Sequence, residues 1–172
     1  MLTKRITKNF KETQKLGENA AKKIIKNGSR KTAVVLALSG DLGGGKTTFL
    51  QGFARGLGIR EKILSPTFVI QKRFELKNKK LKNFYHIDCY RLKNNKPARN
   101  ASHSDAGRFI SEINVKEIIK NPENIVAIEW PEKIKKFIPK NTIFINFKLI
   151  DKNKREMMFS LENDVWGDII NE

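Results

Sequence analysis

The 172-residue chain holds a single cysteine, Cys89, so neither an intrachain disulfide nor a multi-cysteine metal cluster can form. Such scarcity is the mark of a reducing compartment, and a cytoplasmic setting is expected. Long apolar runs are missing too. The longest, Ala33 to Leu38 and Ile125 to Ile128, fall far short of the ~18 residues a membrane span needs. The basic N-terminus MLTKRITKNF also lacks the apolar core of a signal peptide. No membrane association is expected. Acidic residues are in short supply, with 18 Asp+Glu against 35 Lys+Arg, which leaves a formal net charge of +17. A polyanion partner fits this excess, and so does a codon bias that enriches Lys, Asn and Ile without any selected binding role. With 39% hydrophobic and 31% charged residues, the composition is globular, and the length suits one domain over residues 1–172.

Apolar spacing predicts the elements. Phe10, Thr13, Leu16, Ala20, Ala21, Ile24 and Ile25 recur at helical intervals before Gly28. Ala33 to Leu38 is continuously apolar and partly β-branched, as expected of a strand buried on both faces. Thr47 to Leu57 is helix-like, with Gly58 beyond its end. Two strand-like runs, Thr67 to Phe74 and Leu81 to Ile87, flank a charged tip at Lys77 to Lys80 and predict a hairpin. Lys93 to Asp105 lacks periodicity and reads as a loop, followed by a moderately amphipathic helix around Phe109, Ile110, Ile113, Ile118 and Ile119. Ile125 to Glu129 predicts a second buried strand. Thr142 to Ile150 and Glu156 to Leu161 predict a closing hairpin. The sum is an α/β protein with a mixed, mostly parallel central sheet and antiparallel hairpins.

Between the first buried strand and its helix lies Gly40-Asp41-Leu42-Gly43-Gly44-Gly45-Lys46-Thr47, a match to G-x-x-x-x-G-K-[ST] in the context that motif requires. Its four fixed positions coincide by chance in roughly one Lys-rich chain of this length in a hundred. Glycines let successive backbone N–H groups turn inward, and the helix start adds its positive dipole end, so together they cradle phosphate oxygens. Lys46 is placed to reach the β- and γ-phosphates, and the Thr47 hydroxyl to ligate a bridging Mg²⁺. Such a site also needs a carboxylate at the end of a neighbouring strand. Glu129, after Ile125 to Ile128, and Asp88, after Phe84 to Ile87, both qualify. Spacing alone does not divide the roles between them. Ser65-Pro66-Thr67-Phe68 sits where other phosphate-loop enzymes sense the γ-phosphate, although the same residues make an ordinary turn leading into a strand. Cys89 reads as a packed thiol, and His86 and His103 are too isolated to form a metal site.

Taken jointly, GDLGGGKTTFLQGFARGLGI, SPTF, FYHIDCYRL and IEWPE occur in an order and spacing that resemble the TsaE (YjeE) family, from about Thr13 to Arg155. That family comprises small phosphate-loop ATPases of bacterial tRNA threonylcarbamoyladenosine biosynthesis. The resemblance implies a three-layer P-loop NTPase fold and slow ATP hydrolysis coupled to the partner proteins TsaD and TsaB, with tRNA touched indirectly or by weak basic contact. It implies ATP and Mg²⁺ as cofactors, held by Asp41, Leu42, Gly43, Gly44, Gly45, Lys46, Thr47 and Thr48. By the same resemblance Thr47 and Glu129 are the Mg²⁺ ligands and Thr13 lies near the base, while Lys46, Asp88 and Glu129 carry the chemistry. Trp130 matches a further motif position. Gly44 stands where the family usually has Ala, and residues 93–124 are longer and more basic than its norm.

Two other functions fit parts of the sequence. A small-molecule or nucleoside kinase shares the strand-loop-helix, but its lid would have to be Lys93 to Asp105, which carries only Arg99 as an arginine. A basic RNA-binding adaptor, with nucleotide as a structural ligand, is supported by the net charge alone.

Overall fold

The computed structural model describes residues 2–27, 31–64, 71–92 and 113–160. Its elements in chain order are β1 (Leu2–Thr7), α1 (Phe10–Lys26), β2 (Val34–Gly40), α2 (Lys46–Gly56), β3 (Gln71–Glu75), β4 (Asn83–Asp88), α3 (Val115–Lys120), β5 (Asn124–Glu129), a 3-10 helix (Pro131–Phe137), β6 (Ile143–Leu149) and β7 (Arg155–Ser160). The seven strands form one sheet in the order β1-β7-β6-β2-β5-β4-β3.

Patterning explains who sits where. β2 and β5 are apolar without alternation and occupy the parallel centre, where both faces are covered. On one face α1 and α2 pack Ala21, Ile24, Phe49, Leu50 and Phe53 against Leu36, Leu38, Phe84 and Ile125. On the other, α3 and the 3-10 helix press Val115, Ile119 and Ile134 against Val35, Ile87, Val126 and Ile128. Three layers result, and the fold is of the P-loop NTPase kind. The parallel centre and the antiparallel hairpins expected from the sequence are both present. β2 is parallel to β5 and β6, as is β4 to β5, whereas β1–β7, β6–β7 and β3–β4 are antiparallel. β1 is not expected from the sequence, because adjacent Lys4 and Arg5 conceal a strand lying antiparallel along β7.

Helix α1 starts where expected because Asn9 caps it. The Asn9 side chain accepts from the Glu12 N–H at 2.9 Å, and Glu12 in turn accepts from the Lys8 N–H at 2.7 Å. α1 and α2 approach unusually closely. A Cβ added to Gly52 would lie 1.8 Å from the Gln14 carbonyl oxygen, and one on Gly17 would lie 2.2 Å from that of Phe49. Glycine inside these helices is required by space, which outweighs its poor helix propensity. Among the described residues no helix is long and apolar enough to cross a membrane. The Ser65 to Phe68 segment, the Lys93 to Asp105 loop with Arg99 and His103, and Phe109 and Ile110 of the expected helix lie outside the described residues.

Candidate nucleotide site

Three chain segments converge at the carboxyl ends of the central strands, where ligands of open α/β sheets bind. The first is the loop after β2. Gly43 (φ 78°) and Gly45 (φ 106°) both take left-handed backbone, which side chains disfavour, so two of the three consecutive glycines are conformationally required. Gly44 is not forced in this way: a Cβ there would meet the Asp41 carbonyl oxygen at 3.0 Å, a tight contact that a shift of a few tenths of an ångström relieves, and that oxygen accepts from the Gly44 N–H. Helix α2 then begins with no side-chain cap and no acidic residue in its first turn. Its first N–H groups and its dipole therefore point at the loop, ready for an anion.

Lys46, the first residue of α2, is buried at 5% exposure. Its ammonium donates to the carbonyls of Gly40 at 2.7 Å and Asp41 at 2.8 Å, and lies 4.5 Å from the centre of the Trp130 ring. Burial lowers its pKa, against the opposing pull of Glu129, Glu132, Asp88 and Asp41.

The second and third segments are the ends of β4 and β5. Their parallel register sets Asp88 beside Glu129, and both carboxylates are buried, at 4% and 3% exposure. Asp88 Oδ1 accepts from the Tyr90 N–H at 2.9 Å. Glu129 Oε1 lies 2.8 Å from Nε2 of the buried His86. Just after Glu129 the chain turns sharply, with Trp130 at φ 57° and ψ 51°, a strained conformation for a bulky residue. The Trp130 N–H donates to the Leu38 carbonyl, which pins the turn to β2, and its ring packs 5.2 Å from that of Tyr90.

Together these segments enclose a cleft of about 310 Å³ lined by Leu42 to Thr48, Asp88, Tyr90, Glu129 and Trp130. The donor set suits a magnesium nucleotide. Mg²⁺ is held by one or two carboxylates, a hydroxyl and phosphate oxygens, and needs no protein cage. Among the described residues no group of three or more His, Cys, Asp or Glu residues is placed to hold a metal by itself. For such a ligand Thr47 and Glu129 of the cleft wall would offer the hydroxyl and carboxylate, and the glycine loop with Lys46 would offer the phosphate cradle.

Residues 7–157 match the family described as threonylcarbamoyl adenosine biosynthesis protein TsaE. The chain belongs to the TsaE family. Similar members include the tRNA threonylcarbamoyladenosine biosynthesis protein TsaE of Borreliella burgdorferi, 35% identical over 121 residues (70% of this chain, 77% of the relative). Those of Bacillus subtilis (32% over 126 residues, 73% and 68%) and Rickettsia typhi (32% over 152 residues, 88% and 92%) are comparable. The crystal structure of Bacillus subtilis YdiB superimposes with a TM-score of 0.71 at 25% identity, covering 98% of this chain and 91% of that one.

Within this TsaE member the cleft gathers most of the residues picked from sequence, but not all. Asp41 contributes its carbonyl to Lys46 and does not line the cleft. Thr13 is fully buried in α1, its hydroxyl 2.7 Å from that of Thr7 and 3.2 Å from the Asn9 carbonyl oxygen, and it too is absent from the cleft wall. Cys89 is the packed thiol expected, its pKa pushed up by burial. Two side chains were missed. His86 holds Glu129, a pairing signalled only by the His-x-Asp spacing that puts His86 and Asp88 on one face of a strand. Arg155 at the start of β7 runs along the phosphate loop, with Cδ 3.1 Å from where a Gly45 Cβ would sit. Its buried Nε has no hydrogen-bond partner. In the sequence it reads as one more charge at a hairpin.

Proposed function

We propose that this TsaE member binds ATP with Mg²⁺ in the cleft and hydrolyses it slowly to support tRNA threonylcarbamoyladenosine formation, working in the cytoplasm with TsaD and TsaB as one catalytic domain. The observation that carries the reading is convergence: a phosphate loop, its lysine and two buried strand-end carboxylates share one wall. Lys46 exchanges the carbonyls of Gly40 and Asp41 for the β- and γ-phosphate oxygens. Thr47 and Glu129 would hold the metal, which when bound would supply charge neutralisation at the phosphates. Asp88, fixed by the Tyr90 N–H, orients the attacking water. Gly43, Gly44 and Thr48 complete the cradle, and Arg155 adds a cation beside Gly45.

The cleft offers one nucleotide site, and the reading assigns the threonylcarbamoyl chemistry to the partners. The excess basic charge supports a weak, salt-sensitive contact with tRNA. The test mixes the purified protein with TsaD and TsaB and follows modified tRNA over many turnovers, with ATP or a non-hydrolysable analogue. Sustained modification is expected with ATP only. Equal product with the analogue, or without this protein, refutes the reading.

A further inference from the structure

We propose that His86 is a positioning residue for Glu129 and sets the affinity of the cleft for Mg²⁺. The inference rests on the magnesium-nucleotide reading above and adds to it a residue outside the phosphate loop and outside the metal ligands.

Geometry carries it. His86 is 1% exposed, and its Nε2 lies 2.8 Å from Glu129 Oε1 in a fully buried pair. An ionised carboxylate only accepts hydrogen bonds, so the imidazole donates from Nε2. The strand register makes Asp88 the direct neighbour of Glu129 and makes Ala127 the neighbour of His86. Glu129 therefore reaches diagonally back along the sheet to His86 and away from the second carboxylate at its side. Two adjacent buried carboxylates repel each other, and the imidazole decides which way Glu129 turns. The lever is short and stiff, because β4 and β5 are hydrogen-bonded neighbours and the chain beyond Glu129 is pinned by the Trp130 N–H on Leu38.

A metal-ligating carboxylate that is held beforehand need not be frozen when the ion arrives, and loss of such an outer partner typically weakens metal binding by about 10- to 100-fold. His86 does not itself line the cleft and meets its wall at Glu129, so its effect passes through Glu129.

The experiment compares the full-length wild type with His86→Gln and His86→Asn. Both variants keep a buried amide, but only the glutamine amide extends as far as Nε2 of the imidazole. Binding of a non-hydrolysable ATP analogue is titrated across Mg²⁺ concentrations and again in chelator. For His86→Asn, the Mg²⁺ concentration at half-maximal tight binding rises about tenfold, affinity in chelator is unchanged, and His86→Gln returns most of the shift. A shift below about twofold in His86→Asn, a His86→Gln no better than His86→Asn, or a parallel loss in chelator each overturns the proposal; the last marks a purely structural histidine. Failure of the underlying reading is recognisable separately. A wild type whose affinity ignores Mg²⁺ overturns the metal assignment and this inference with it, whereas a Mg²⁺-dependent wild type with unshifted variants overturns the inference alone.

Discussion

The centre and the edges of the sheet handle charge in opposite ways. In β2 and β5 residue after residue is buried, and ionisable groups enter only where the strands run out, at Glu129 and, on neighbouring β4, at His86 and Asp88. At the edges, charge is spread along the strands and paired in solvent: Lys4 with Glu156, Lys72 with Glu61, Arg73 with Glu75. Exposed pairs of that kind contribute ~0–1 kcal/mol each. Buried charges cost far more to desolvate, and persist only with partners. Lys46 is held by two carbonyls and an aromatic face, and Glu129 by an imidazole. Charge buried at that cost, at the mouth of a cleft, belongs to the site, while the charge that dominates the composition belongs to solvent.

The contrast breaks first under loss of core. Phe53 is fully buried between Phe49 and Phe84, with ring centres 6.2 and 5.7 Å away, whereas Phe10 at the start of α1 is 54% exposed. Phe53→Ala should cost ~3–5 kcal/mol and Phe10→Ala within ~0.5 kcal/mol, read from urea denaturation midpoints. Gly52→Ala belongs with the first: its methyl must displace the backbone of α1 at Gln14, a loss of up to ~3 kcal/mol in the same assay.

Function separates from stability at the next level. Lys46→Ala should abolish ATP turnover and weaken nucleotide binding tenfold or more, since charge-assisted hydrogen bonds are worth ~1.5–3 kcal/mol, while circular dichroism shows the fold retained. Unchanged affinity and turnover in a folded variant removes Lys46 from the site. The carboxylates should then divide. Glu129→Ala raises the Mg²⁺ needed for activity, and Asp88→Asn lowers turnover with nucleotide still bound, as steady-state kinetics alongside analogue titration will show. Identical kinetic phenotypes would deny the two residues distinct roles.

How far these features could be read from sequence follows the same divide. The central strands, the phosphate loop and both strand-end acids were legible because a two-sided burial pattern and a glycine-Lys-Thr motif are local signals. β1 was not, because its residues alternate on a sheet covered on one side only at that edge, and Lys4 and Arg5 mask the period. His86 and Arg155 acquire meaning only from neighbours 43 residues away on β5 and 110 residues away in the phosphate loop, a separation no periodicity reports. Gly17 and Gly52 read as weak points of helices, yet they are where α1 and α2 touch.

The smallest effect sits on the outside of that same helix pair. Glu18 on α1 meets Lys22 at 2.5 Å and reaches across to Arg55 of α2 at 3.1 Å. Lys22 foremost holds its carboxyl down to about 2; burial pushes the other way, second only to Lys22, and Arg55 and Lys15 add further lowering. A carboxyl lowered on folding contributes stability that is complete above its unfolded value near 4.5 and drains away as pH falls through the folded value near 2. The lysine and arginine partners are more than half exposed, so solvent screening limits the gain at neutral pH to ~0.2–1 kcal/mol. Glu18→Gln should therefore be less stable than wild type by that amount at pH 7 in urea titrations at low salt. The two proteins should converge as the pH approaches 2, and at pH 7 in 1 M salt, where the Debye length shrinks to about 3 Å. A difference that survives both acid and salt would mean that Glu18 acts through packing on the α1–α2 seam, and the line drawn between solvent charge and buried charge would have to move inward to include it.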